Sequence, residues 1–361
     1  MSAGPAVSEG GLTRQPTILD VAALAGVSKS VVSRVMNDSP LVSQETRKAV
    51  LKAAAQIDYR PNAAARHLAS NRTRILGAVV DDLHNPFFAD MLDGVEDVAR
   101  ERGYKVMVMA GKRNTSREEE AVEAFLELRV DGLLLAGPQI RPQTLKRASS
   151  ATRVVVAAHR LRGNSVPVVA TDDIRGAELA VAHLAALGHS HIAYLRGAPS
   201  PPARDRLSGY RRSMKRVGLV PMVIEADFTE DGGYAAVREL VRSGNMPTAI
   251  CAPNDLAAIG AINALEDAGL SVPGDVSVVG YDDTALAGLR HISLTTVHQP
   301  RHTLGKEAAE LLLAEEEEPS RPLQILLPPH LVVRSSTAAP RDGQVPSLHL
   351  LPSPAPTRST P

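Results

Sequence analysis

The stretch GVSKSVVSRVMN, residues 26–37, sets valines at helical spacing among short hydroxyls and two cations. One face of such a helix is apolar and packs, and the other offers Ser28, Lys29, Ser30, Ser33 and Arg34. Small donors and positive charges on one short helix suit a partner that presents a regular array of acceptors. Phosphates and base edges along a duplex groove are such an array. The charge distribution agrees. Residues 1–75 hold ten Lys/Arg against five Asp/Glu, although the 361-residue chain has 40 of each and no net charge. A basic head on an acidic body implies a polyanion partner for the head alone.

The elements that must carry this face are legible from their caps. Thr17 starts a helix over ILDVAALA and Gly26 stops it. Ser28 caps KSVVSRVMN, and Ser43 caps QETRKAVLKAAAQI, where Glu45 sits in the first turn and favours the helix dipole. Two short helices meeting at a glycine turn, with a third behind them, make a helix-turn-helix domain over residues 16–60. Residues 1–15 are rich in Gly, Ala, Ser and Pro and read as disordered. Residues 61–73 form a linker, in which Ala63–Ala69 are helix-capable but too short a run to hold a helix unaided.

From Arg74 apolar strands alternate with amphipathic helices, beginning RILGAVVDD, PFFADMLDGVEDVARERG, YKVMVMAG. This α/β rhythm implies parallel, doubly wound sheets. It runs twice, so the body (74–335) should comprise two similar lobes with a cleft between them near residue 170. The N-lobe is placed at about 74–170 and 298–323, the C-lobe at about 171–297 and 324–335. Residues 336–361 are Pro/Ser/Thr-rich and read as a disordered tail.

Other classes find little support. Cys251 is the sole cysteine, which excludes a disulfide framework and a cysteine zinc site. His189 and His191 lie in a helix-to-strand turn, GHSHI, without a partner cysteine, so no metal is expected. No apolar run reaches the ~20 residues of a membrane span, and MSAGPAVSEGG lacks the pattern of a secretion signal. A cytoplasmic, nucleoid-associated protein is expected. Dinucleotide, phosphate-loop, G-x-S-x-G and H-E-x-x-H motifs are missing, so neither an enzyme nor a cofactor is expected. A free-standing solute-binding protein would need a signal peptide and would have no basic head.

The motifs TILDVAALAGVSKSVVSRVMN, VSQETRKAVLKAAAQIDYRPNAAARHLAS, DDLHNPFFADMLDGVEDVARERGY, APNDLAAIGAINAL, VPGDVSVVGYDDT and LTTVHQP, with others between them, resemble the lactose/galactose repressor family of bacterial transcription factors from Thr17 to about Ser335. The resemblance implies a sequence-specific DNA-binding regulator, a repressor, that works as a homodimer or higher assembly on inverted-repeat duplex DNA. It makes Lys29 and Ser30 the specificity pair, with Ser28, Ser33 and Arg34 on phosphates or flanking bases and Leu19 entering the groove from the first helix. Val31 departs from the pattern, where threonine is usual. In the hinge, Leu68 corresponds to a leucine wedged into the minor groove, Ala65 is small where paired hinge helices approach, and Arg66 and Asn62 contact the duplex.

The family's body resembles type I periplasmic sugar-binding proteins, which implies a small sugar-like effector. Asn85, Phe87, Phe88, Arg160, Arg206, Phe228, Asn254, Asp282 and Gln299 match the ribose-binding pattern. Aromatic rings would cover sugar C–H faces while amides, acid and guanidinium bond the hydroxyls. His159 departs from the pattern, standing where an acid precedes the arginine. This points away from free ribose, towards another pentose or hexose derivative or a sugar with a phosphate or carboxylate near Arg160 and Arg206.

Overall fold

The computed structural model describes residues 16–36, 39–59, 72–161, 166–314 and 324–341. Residues before Arg74 and residues from Arg74 onward fold as two separate units.

The first unit contains α1 (Ile18–Ala25), α2 (Lys29–Met36) and α3 (Gln44–Gln56). Asp20 accepts from the Thr17 amide and hydroxyl, both at 2.7 Å, and so ties down the start of α1. Gly26 ends that helix at φ 64°, with open space where a Cβ would stand, so its backbone angle alone demands glycine. The Ser43 hydroxyl caps α3 by accepting from the Thr46 amide at 3.2 Å. Val21, Val32, Val35, Val50, Ala53 and Ala54 form the small core that unites the three helices.

The second unit has two six-stranded sheets. Its elements are β1 (Ile75–Val80), α4 (Pro86–Glu101), β2 (Lys105–Ala110), α5 (Thr115–Glu127), β3 (Gly132–Ala136), α6 (Pro142–Ala151), β4 (Arg153–Ala157), β5 (Val168–Thr171) and α7 (Asp173–Ala186). They continue with β6 (Ile192–Arg196), α8 (Pro201–Arg216), β7 (Met222–Glu225), α9 (Glu230–Ser243), β8 (Ala249–Cys251), α10 (Asp255–Asp267) and β9 (Ser277–Asp282). The last are β10 (Thr295–His298), α11 (Arg301–Leu313), β11 (Gln324–Leu327) and β12 (His330–Val332). The N-lobe sheet runs β11-β5-β4-β3-β1-β2, and every pairing in it is parallel. The C-lobe sheet runs β12-β10-β9-β8-β6-β7, parallel except for β12 on β10. Central strands such as β3, β8 and β9 are buried throughout because helices cover both faces, which is why they read as apolar runs.

The strand-helix pattern leaves residues 142–151, 230–243 and 301–313 unassigned, and all three are helices. Two boundaries also need correction. Residues 324–327 were expected in the C-lobe, but β11 pairs with β5 in the N-lobe sheet, so the chain crosses back once more between Leu327 and His330. Residues 336–341 were expected in a disordered tail, yet they pack on the C-lobe as an extended strap. Ser336, 2 % exposed, donates to the Val278 carbonyl at 2.6 Å and accepts from the Thr295 amide at 2.8 Å. The Ala338 carbonyl lies 2.9 Å from His189 Nε2, whose other ring nitrogen lies 2.9 Å from the Thr248 hydroxyl. His189 is thus a structural fastener. Residues 1–15, nearly all of the 61–73 linker and the tail beyond 341 lie outside the described residues. Among the described residues no helix is long and apolar enough to cross a membrane.

Ser336→Ala strips a buried amide and a buried carbonyl of their side-chain partner. Urea unfolding should show a loss of about 1–3 kcal/mol; an unchanged midpoint would mean that the strap contributes nothing to the lobe.

Candidate nucleic-acid interface and ligand cleft

In the helical head the division of faces follows the sequence. Val32 and Val35 of α2 are buried, while Ser28, Lys29, Ser30 and Arg34 are exposed and Ser33 and Val31 are half-buried. The Ser28 hydroxyl accepts from the Val31 amide at 3.4 Å, which holds the start of α2. Leu19 on α1 is 61 % exposed, a large apolar side chain left without a core to enter. These side chains form a polar, cationic helix start flanked by one apolar group, which matches what a major groove presents. Asn62, Ala65, Arg66 and Leu68 lie outside the described residues.

The body carries a cleft with about 720 Å³ of non-atom space, counted out to its open mouth. Parallel strands explain its position: ligand groups gather beyond the carboxyl ends of the strands, where the chain turns into the next helix. Asp81 and Asp82 follow β1, Arg113 follows β2, Gln139 follows β3 and His159 follows β4. From the C-lobe, Ser200 follows β6, Phe228 follows β7, Asn254 follows β8, Asp282 closes β9 and Gln299 follows β10.

Three phenylalanines wall this space. Phe87 and Phe88, in the first turn of α4, meet edge to face with centroids 5.2 Å apart. Asn85 fixes that turn by accepting from the Phe87 amide at 3.0 Å. Phe228 lies against Gly197, where a Cβ would come within 2.4 Å of the ring, so only glycine lets the ring sit there. Asn254 donates to the Phe228 carbonyl at 2.9 Å and accepts from the Ala257 amide at 2.9 Å, so the same side chain caps α10 and holds the Phe228 loop.

Arg206 occupies the floor of the C-lobe side at 5 % exposure. Its Nε donates to Asp173 at 2.7 Å, its Nη1 donates to the Pro253 carbonyl at 2.5 Å, and Asp282 stands 3.9 Å away. The guanidinium also lies 3.6 Å from the centroid of Tyr281. Burial opposes its charge, but Asp173, Tyr281 and Asp282 more than offset this. Burial raises the Asp282 carboxyl, with Arg206 pulling the other way, and Gln299 donates to it at 2.6 Å.

The N-lobe side is acidic. Burial, followed by the charge of Glu118, pushes Asp81 up to about 7. Burial likewise lifts Glu118 to about 7; it accepts from the Gln139 amide at 2.6 Å through one oxygen and leaves the other without a partner. Arg113, in a left-handed turn at φ 55°, reaches across the mouth to Asp227 of the C-lobe at 3.1 Å. His159 is 1 % exposed, has no partner at Nε2, and is driven down to about 4 by burial and by Arg204, so it is neutral at pH 7.

Of the sequence-predicted cleft residues, Asn85, Phe87, Phe88, His159, Arg206, Phe228, Asn254, Asp282 and Gln299 come together here. Arg160 does not line the space. Beyond β4 the chain bends at Ala158, φ 69°, and Ala158 and His159 face the cleft while Arg160 is carried past it. Asp81, Asp82, Arg113, Gln139 and Ser200 were missed, although each closely follows an apolar strand run (VVDD, VMVMAGKR, LLLAGPQ), and that position was the available signal. Among the described residues no group of three or more His, Cys, Asp or Glu could hold a metal ion.

Comparison with known proteins draws the two units together. Residues 17–62 match the family model for bacterial regulatory proteins of the lacI family, and residues 181–337 match a periplasmic binding protein-like domain. The ribose operon repressor of Escherichia coli strain K12 is 36 % identical over 328 residues, covering 89 % of this chain and 99 % of its own. The chain belongs to the lacI family. The HTH-type regulator GalR of the same strain is 37 % identical and covers 90 % of this lacI-family chain and 96 % of its own. A Lac repressor dimer bound to operator and the anti-inducer ONPF superimposes with a TM-score of 0.81 at 31 % identity, covering 90 % of this chain and all of that one.

The raised acids make a pH test. Below about pH 4 folded and unfolded chains both hold the Asp81 proton. Between about 4 and 7 only the folded chain keeps it, so this group's contribution to stability falls as pH rises and levels off above 7. Asp81→Asn should therefore gain on the parent protein between pH 5 and pH 7.5 in urea unfolding. Parallel pH profiles for the two proteins would contradict this.

Proposed function

We propose that this protein is a transcriptional repressor that grips inverted-repeat operator DNA as a homodimer and is controlled by a small sugar-like effector in its cleft. The observation that carries this reading is the pairing, in one chain, of an exposed Ser/Lys/Arg helix face with a cleft walled by three phenylalanines and lined by amides, acids and a buried arginine. Neither a free-standing solute-binding protein nor an enzyme needs the first of these, and catalysis forms no part of the proposal.

On DNA, Lys29 reaches guanine O6 and N7 while Ser30 bonds neighbouring base edges. Ser28, Ser33 and Arg34 hold phosphates, and Leu19 packs into the groove. By family resemblance Leu68 wedges the minor groove at the centre of the operator, with Ala65, Arg66 and Asn62 beside it. Pairing of two such linkers needs a dimer. The edge strand β2 supports one, since it leaves Met107, Val108 and Met109 42, 39 and 38 % exposed, an apolar edge that a second copy can cover.

In the cleft, Phe87, Phe88 and Phe228 cover the C–H faces of the effector ring, and Asn85, Asn254, Gln299, Asp282 and His159 meet its polar groups. Arg160 does not line the cleft, and Arg206 is already committed to Asp173, Pro253 and Asp282, so neither offers a free guanidinium to a phosphate or carboxylate there. The Arg113–Asp227 pair joins the lobes across the mouth, and ligand bound between the lobes favours the state in which they are joined. A coupling of about 1–3 kcal/mol between cleft and head would change operator affinity roughly 5- to 150-fold.

Selection from a random duplex pool, followed by titration of the selected site, tests the DNA half. Lys29→Ala should erode preference for the selected site over scrambled DNA, by about 1–3 kcal/mol per lost base contact. Arg34→Ala should weaken both alike and flatten the log–log salt slope by about one. Failure to enrich an inverted repeat would refute the proposal.

A further inference from the structure

The N-lobe wall of the cleft carries negative charge that its neighbours do not balance. Asp81 and Asp82 line it, Glu118 on α5 stands behind Asp81, and Asp227 approaches from the C-lobe rim. The cations among the described lining residues are Arg113 and Arg206. Arg206 is consumed on the far side by Asp173 and Asp282. Within the cleft that leaves Arg113, 3.1 Å from Asp227 and 3.8 Å from Asp82, as the cation facing four carboxyl groups; the exposed His84 lies 3.0 Å from Asp82 and the Gln139 side-chain amide donates to Asp81 at 3.4 Å. Two polar atoms here are buried and unpartnered, Oε1 of Glu118 and Nε2 of His159. His159 is neutral, so it offers the ligand a hydrogen bond and no charge.

Each kind of ligand meets this wall differently. A phosphate or carboxylate adds negative charge beside the acids. A hydroxyl supplies a donor but leaves the charge uncompensated. An ammonium group supplies three donors and the missing positive charge together. Resting on the reading of the cleft as a sugar site, we propose that the effector is an amino sugar whose protonated amine sits against Asp81 while Phe87, Phe88 and Phe228 enclose its ring.

Proton exchange gives this proposal a sign. Asp81 and Glu118, both lifted to about 7, hold part of their protons at neutral pH. A cation placed beside them favours their ionised forms, so binding releases protons to solvent. A neutral sugar only removes water from the same acids, which drives protons the other way.

The test is calorimetric titration of the full-length protein at pH 7 with matched sets: glucose, galactose and ribose, the 2-amino and N-acetylamino forms of the two hexoses, and the sugar phosphates. Each is run in two buffers of different ionisation enthalpy. One amino sugar should bind about tenfold or more tighter than its hydroxyl and N-acetyl counterparts, about 1.4 kcal/mol, with net proton release. Asp81→Asn should reduce that ratio to near one, and a circular dichroism spectrum matching that of the parent protein reports that the variant folds. A hydroxyl parent or a phosphate that binds as well as or better than the amine, or proton uptake on binding, overturns the amine while leaving the sugar site standing. No binding by any member of the panel overturns the sugar reading itself.

Discussion

A guanidinium buried at 5 % exposure survives only if its surroundings supply charge and acceptors, and Arg206 imposes that condition on the whole C-lobe rim. Asp173 at the start of α7, the Pro253 carbonyl before α10 and Asp282 at the end of β9 are all drawn to it. Asp282 is held in turn by Gln299, and its carbonyl accepts from Arg301, which also reaches Asp90 on α4 of the N-lobe at 2.8 Å. Removing Arg206 would strand buried carboxylates at a cost on the order of 3–5 kcal/mol. The same arrangement makes one continuous polar path from the cleft floor into the other lobe. A ligand that touches Asp282 or Gln299 touches that path.

The two halves of the molecule use opposite electrostatics for different partners. The head puts cations on an exposed helix, where long-range attraction to a polyanion is useful and water carries the cost of charge. The cleft buries acids, where an unbalanced carboxyl group is costly and so selects the ligand that relieves it. Neutral overall composition hides this division, and it emerges only when charge is read by position.

How much could be read in advance depended on whether the cause was local. Thr17, Gly26 and Ser43 act within a single turn of chain, and α1 begins and ends, and α3 begins, where those caps lie. The buried strands of the parallel sheets were largely legible because burial on both faces leaves apolar runs, whereas β7, β10 and β11, each four residues long, were not. Partnership between distant segments was not. β11 belongs to the first sheet because it pairs with β5, some 150 residues earlier in the chain, and no periodicity signals that. The 336–341 strap is extended and polar, indistinguishable in composition from a loose tail, and only the buried groups of Thr295 and Val278 explain why Ser336 is held. In the cleft, resemblance picked out amides and rings that line the space, but Arg160 showed that a matched position need not line it. The acids after β1 escaped notice because their significance lies in uncompensated charge, a property of the assembled wall.

An effector that controls the DNA-binding head from the cleft must share one free energy of coupling with operator DNA. Thermodynamic linkage makes this measurable from both ends. Operator affinity is titrated with and without the cleft ligand, and ligand affinity is titrated with and without operator duplex. Both affinities should change by the same factor, well removed from one. Two ratios of one, with ligand shown to be bound in the cleft, would contradict it.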